Sequence, residues 1–154
     1  MVILITLYSC MKEKGELIPE LSDNQIFLMT KDTSGYQYLY HDPNTFLSPA
    51  GGSPHGIFKL RFNKKAQSVL DGTGKLPVNS SFPDSSLIVK DAYDVVNGNI
   101  ILYAIMYKLK GSWSWAEYQP DGKVSHSIFN SSSDCISCHN ASPNRDQARS
   151  FDLH

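Results

Sequence analysis

Leu87-Ile88-Val89-Lys90-Asp91-Ala92-Tyr93, then Asn97-Gly98, then Ile100-Ile101-Leu102-Tyr103-Ala104-Ile105-Met106-Tyr107-Lys108, then Lys110-Gly111-Ser112 and Trp113-Ser114-Trp115-Ala116-Glu117-Tyr118: this run decides the fold. Each long segment is rich in β-branched and aromatic residues, and each break carries turn chemistry. Asn-Gly is the favoured pair for a type I′ hairpin, because both central residues must take positive φ. Strands joined by such short turns pair antiparallel, so the run predicts a meander. The apolar run from Ile100 to Tyr107 has the length of a buried strand and is far short of a membrane span.

Working outward, Ile57-Phe58-Lys59-Leu60-Arg61-Phe62 alternates and predicts a further strand. Phe58 and Leu60 share one face, Lys59 and Arg61 the other. Asn63 is placed to cap a helix over Lys64–Leu70 that stops at Asp71-Gly72. Ser22 or Asp23 is placed to cap a short helix through Ile26-Phe27-Leu28-Met29. Gly35–Tyr40 reads as an extended segment. His41–Gly56, dense in Pro, Gly and Ser, reads as loop. Pro120-Asp121-Gly122 marks another turn. The expected class is α+β, a curved antiparallel sheet with a few short helices.

The chain has 154 residues, the size of one domain. Its 14 basic and 15 acidic residues leave a net charge of −1, which gives no polycationic surface for nucleic acid. With 41% hydrophobic and 19% charged residues it is not a disordered chain. Met1 to Tyr8 is almost wholly apolar, and eight residues are too few to span a bilayer. Leu7-Tyr8-Ser9-Cys10 resembles a lipoprotein box, in which Cys10 would carry the lipid. The expected division is a leader over 1–9, a tether over 10–20 and one domain over 21–154. The protein is then exported, periplasmic or membrane-anchored through the lipid alone. A buried N-terminal strand with an ordinary core cysteine is the competing reading of the same residues.

Three cysteines, Cys10, Cys135 and Cys138, do not make a disulfide framework. Cys135-Ile136-Ser137-Cys138-His139 is the attachment signature of c-type haem. Two thiols add across the porphyrin vinyl groups, and the adjacent His139 supplies the imidazole to iron. A zinc site needs about four ligands, usually from paired motifs. No second Cys pair exists, and His41, His55, His126 and His154 are scattered. A redox dithiol would want the motif at a helix start in a βαβ context. The motif here follows the polar run Asn130–Asp134, after most of the strands.

That order resembles the cytochrome P460 family and its relatives, the cytochromes c′-β. The residues carrying the resemblance are Phe82-Pro83-Asp84-Ser85-Ser86 leading into Leu87–Asp91, Met106-Tyr107-Lys108 with Gly111-Ser112-Trp113, and the motif 135–139; it spans about residues 55–150. The resemblance implies one covalent haem c per chain, a homodimer through the sheet and an unidentified redox partner. It implies that Lys90 corresponds to a lysine cross-linked to the porphyrin edge. The alternative for Lys90 is a stem packed on the sheet with its ammonium reaching water. In the c′-β branch an apolar cap over a five-coordinate iron admits small ligands such as NO or CO, and Phe58 stands where such a cap is expected. In the P460 branch a distal carboxylate accepts protons during oxidation of hydroxylamine. The matching strand, Ile100–Tyr107, contains no carboxylate; the nearest acids are Asp94 and Glu117. The third possibility is a six-coordinate electron carrier, with Met106, His55 or His126 closing the sixth position. Trp113, Trp115, Tyr103 and Tyr107 are expected to build the core.

Overall fold

The computed structural model describes residues 21–50 and 53–154. The expected leader, the tether and the lipidation site Cys10 lie outside the described residues. Six strands form one curved, unclosed antiparallel sheet in the order of the chain: β1 (Gln37–Tyr38), β2 (Ile57–Phe62), β3 (Leu87–Tyr93), β4 (Ile100–Leu109), β5 (Ser112–Tyr118) and β6 (Val124–His126). Among the described residues four short α-helices accompany it: α1 (Asp23–Lys31), α2 (Lys64–Gln67), α3 (Ser133–His139) and α4 (Ser150–Leu153). Among the described residues no helix is long and apolar enough to cross a membrane.

The alternating pattern has a direct structural consequence. Side chains of even-numbered residues in β2, β3 and β4 from Leu102 onward point to one face, and the odd-numbered ones to the other. On the even face Phe58, Leu60, Phe62, Ile88 and Met106 join Trp113 and Trp115 of β5. On the opposite face Leu87, Val89, Tyr103, Ile105 and Tyr107 join Ala116 and Tyr118, with Ile26 of α1 packed over them. All four expected core aromatics are buried, but they divide between the two faces. The Tyr107 and Trp115 positions show why: their strand parity differs once β4 and β5 are in register.

Local signals worked where side chains act on their own backbone. Ser22 accepts the Gln25 N–H at 3.2 Å and caps α1. Asn63 accepts the N–H groups of Ala66 and Leu87, at 2.9 and 3.0 Å, and so joins α2 to β3. Helix α2 is shorter than the seven-residue reading Lys64–Leu70. After Gln67 the bonds tighten to the i→i−3 kind, from Val69 to Ala66 and from Leu70 to Gln67. The extended segment at Gly35–Tyr40 shrinks to two strand residues, because Tyr40 and His41 turn to positive φ, 57° and 59°.

The type I′ geometry lies elsewhere than expected. Between β3 and β4 the loop is longer: Asp94 N–H donates to the Asn99 carbonyl, and the Asp94 carbonyl accepts from Gly98. The turn with positive φ at both central residues joins β4 to β5, at Lys110 (48°) and Gly111 (77°). A register shift between Ala92 and Tyr93 leaves Ile101 as the extra residue, 53% exposed.

One buried ion pair ties α1 to the odd face. Arg61 donates to both Asp91 oxygens, at 2.8 and 2.9 Å, and to the Thr30 carbonyl at 2.7 Å. On the even face the chain beyond α3 folds back as a strap, and Phe151 enters the core fully buried. It stacks on Phe62 and Phe82 at centroid distances of 5.7 and 6.2 Å.

Candidate functional site

The even face of the sheet is concave where five strands meet. The register sets Leu60, Lys90, Ala104, Glu117 and His126 side by side, one from each of β2 to β6. Ala104 is the small residue in the middle of a row of long ones, so the floor dips there. Ile88, Met106 and Trp115 form the neighbouring row. The roof is α3, and the rim is Ser53, Pro54 and His55 on one side and Ala148, Arg149 and Ser150 on the other. The cavity measures about 350 Å³.

The sequence motif lies on α3 and forms the roof. Residues 135, 138 and 139 are three and four apart, so one helix face presents all three. Cys135, Cys138 and His139 all line the cavity, and both thiols are free. Cys135 is half-buried against the core cluster, and Cys138 is exposed. Burial raises the Cys135 thiol above its ordinary value, with Glu117 adding to the effect. No residue of α3 is fully buried. His139 helps hold the helix to the body of the protein: its ring lies 4.4 Å from that of Trp115, tilted by 60°. Its Nδ1 is 2.8 Å from the Gln147 carbonyl oxygen. A carbonyl only accepts, so Nδ1 carries the proton and Nε2 keeps its lone pair. That is the tautomer a metal-ligating histidine needs. Burial lowers the His139 pKa; the Gln147 carbonyl opposes this, and Lys90 and Arg149 reinforce it.

Lys90 is the unusual group of the floor. Its Nζ sits 4.2 Å from the centroid of Phe58, and no carboxylate pairs with it among the described residues. Burial pushes its pKa down to about 8; Cys138 opposes the shift and Arg149 adds to it. Phe58 is 1% exposed and does not border the main cavity. It lines an adjoining void of about 40 Å³ with Lys90, Cys138, His139 and His154. Lys90 therefore borders both spaces. Met106 does line the main cavity, at 7% exposure.

The two nearest acids part company. Asp94 is spent in the β3–β4 loop, accepting from Val96 N–H and Asn97 Nδ2. Glu117 enters the cavity, because 113, 115 and 117 share a face and the register sets 117 beside Ala104. Strand β4 carries no acid, as its sequence dictates, yet the cavity has one from the next strand. His55 Nδ1 is 3.6 Å from Glu117 Oε1. Burial, then Lys90 and His139, push His55 down to about 4, so at neutral pH it is uncharged and this contact is not an ion pair. His126 faces Glu117 across the β5–β6 pairing. The sequence pointed to neither Arg149 nor Gln147. Both stand after the motif in a segment without periodicity, and only the folded strap brings them back to His139.

The donor set suits a covalently held porphyrin. Two thiols and an imidazole with a free Nε2 converge on a largely apolar space. Three residues that line it, Trp115, His126 and Arg149, each have a buried ring or guanidinium nitrogen (Nε1, Nε2 and Nε) without a hydrogen-bond partner. Orphaned polar atoms at a cavity wall are what a polar or charged ligand edge satisfies. Among the described residues no three His, Cys, Asp or Glu side chains converge as ligands for a bare metal ion. Comparison with protein-family models, with curated proteins and with solved structures finds no match.

Proposed function

We propose that this chain is a c-type mono-haem protein of the kind resembling cytochrome P460 and cytochrome c′-β, which binds a small ligand such as NO or CO at a five-coordinate iron. Cys135 and Cys138 hold the haem through thioethers, and His139 Nε2 is the protein's ligand to iron. When bound, the haem supplies an iron centre with one position open to a diatomic or nitrogenous ligand. One observation carries the reading: both motif thiols and His139, with Nδ1 engaged by Gln147, border the same apolar cavity. The surrounding residues are largely apolar and leave room beside Ala104. Attachment belongs to an exported protein, in keeping with an apolar leader and a lipidated Cys10.

The test is expression of the full chain with the c-type maturation machinery. The expected product keeps haem through denaturing electrophoresis, is high-spin when reduced and binds CO. A product without covalent haem sinks the proposal. A low-spin ferrous spectrum indifferent to CO moves the protein to the electron-carrier class, with Met106, His55 or His126 as the sixth ligand.

A second reading, oxidation of hydroxylamine or a related nitrogen compound, gains from Glu117. A carboxylate inside the cavity meets the need for a proton acceptor within reach of a bound substrate. Lys90, half-buried and without a carboxylate partner among the described residues, has a depressed pKa that enlarges the fraction of free amine, the form that cross-linking to the porphyrin edge would need. Electrons leave to a redox partner. The reading predicts that Glu117→Gln lowers turnover by roughly 10²-fold with covalent haem unchanged. It predicts also that peptide mapping finds Lys90 attached to haem. A freely recovered Lys90 peptide and no turnover in the unaltered protein remove it.

A further inference from the structure

The turn that delivers the Gln147 carbonyl is held more firmly than a surface turn requires. Ala148 N–H donates to the Arg145 carbonyl at 2.8 Å, with Asp146 and Gln147 between them. Both central residues have positive φ, 48° and 65°, and neither is glycine. Each such residue carries backbone strain, so contacts elsewhere must hold the turn.

Those contacts converge on Asp146. Lys108 Nζ donates to both of its carboxylate oxygens, at 2.8 and 3.1 Å. Phe82 N–H donates to Oδ2 at 2.8 Å, and Trp113 Nε1 donates to the Asp146 carbonyl at 2.8 Å. Lys108 is 5% exposed and comes from the even face of β4, two residues beyond Met106. The rigid sheet thus fixes Asp146, and the next carbonyl in the chain is the one on His139 Nδ1. Gln147 is steadied further by Asn144, whose Oδ1 accepts its N–H at 3.1 Å. A lysine charge brought into a core to hold one turn is more than stapling demands, since apolar residues of similar volume often serve as well.

We propose that Lys108 and Asp146 are positioning residues for His139: through the 145–148 turn they hold the Gln147 carbonyl on Nδ1 and so fix which ring nitrogen is offered to the ligand. The inference rests on the reading of His139 as the iron ligand for its purpose, though not for its test. Neither residue touches the ligand space through its own charge. Their effect passes through one backbone carbonyl.

The haem-free full chain is measured first, by long-range ¹H–¹⁵N correlation of the histidine rings at a pH where His139 is neutral. The unaltered chain is expected to show His139 as the Nδ1–H tautomer alone. Lys108→Met and Asp146→Asn are expected to give a mixture of tautomers. Asp91→Asn, which breaks the buried ion pair on the opposite face, is expected to leave His139 unchanged. The pair acts only as a staple if His139 stays wholly Nδ1–H in both variants, or if Asp91→Asn disturbs it equally. Asp146→Asn keeps an acceptor for Phe82 N–H, so it carries the test should Lys108→Met fail to fold. In the haem-loaded protein, Asp146→Asn is expected to shift the iron–imidazole stretch to lower frequency. An unchanged stretch in a normally loaded variant overturns the proposal. Absence of covalent haem in the unaltered protein refutes the haem reading instead and leaves the tautomer result standing.

Discussion

Lys90 is held at the cavity floor at a cost that can be measured. Its pKa falls from 10.5 to about 8, chiefly because burial disfavours the ammonium. Below pH 8 the lysine is charged in both the folded and the unfolded chain, and the folded state bears the full desolvation penalty. Between pH 8 and 10.5 only the unfolded chain holds the proton, so stability rises with pH across that window. Above 10.5 both states are neutral and the penalty is gone. At neutral pH the penalty has an upper limit of about 3.4 kcal/mol, from 1.36 kcal/mol per pH unit. The side chain keeps partial exposure, which lowers the expected value to about 2 kcal/mol. Lys90→Met in the haem-free chain is therefore expected to raise stability at pH 7 by about 2 kcal/mol. For a domain of this size that is a Tm increase of about 4–8 °C. Urea unfolding of both proteins at pH 7, 9 and 11 tests it. The gain should shrink at pH 9 and vanish at pH 11. A variant no more stable at pH 7, or a gain that is the same at all three pH values, refutes the argument from desolvation. A lysine so disfavoured, lining the same cavity as Cys135, Cys138 and His139, stands where the proposed function would use it.

His55, held near 4 by burial, is neutral in the folded protein while the unfolded chain protonates from pH 6.5 downward. Stability should then fall as pH drops from about 6.5 to 4, and His55→Gln should flatten that part of the profile; equal slopes in thermal melts count against the assignment. Asp91→Asn leaves Arg61 buried beside a neutral partner and should destabilise by about 3–5 kcal/mol in denaturant unfolding. A loss under 1 kcal/mol shows that water reaches the site. Phe151→Ala removes a fully buried ring from the stack with Phe62 and Phe82 and should cost about 3–5 kcal/mol. Hydrogen exchange should quicken first at the strap amides of residues 145–153, and uniform quickening tells against a strap that opens on its own.

The amino-acid sequence by itself determined what depends on near neighbours. Strand β3 falls on Leu87–Tyr93 and β2 on Ile57–Phe62 as the alternation and its flanking breakers require. Ser22 and Asn63 cap the helices they precede, because a side-chain oxygen two or three residues from an unpaired N–H acts locally. The proposed use of Cys135, Cys138 and His139 likewise rests on their spacing. The turn types were less legible. Asn97-Gly98 has the better I′ sequence, yet the bulge at Ile101 and the Asp94 side chain favour a longer loop. Lys110-Gly111 takes the tight turn because β4 and β5 pair in register up to Leu109 and Ser112.

Only the tertiary structure decided which groups meet. Glu117 became a cavity residue, and Asp94 did not, through cross-strand register, which no local pattern states. Phe58 shares the cavity's face of the sheet but lies beside the smaller void, since two strand positions separate it from Lys90's row. Gln147 and Arg149 reach His139 only because the strap is tied down by contacts with Phe82, Lys108 and Trp113, many residues earlier in the chain. Residue type and spacing name the reactive groups. Their partners come from contacts between distant segments, whose closure is favoured only once the sheet has formed.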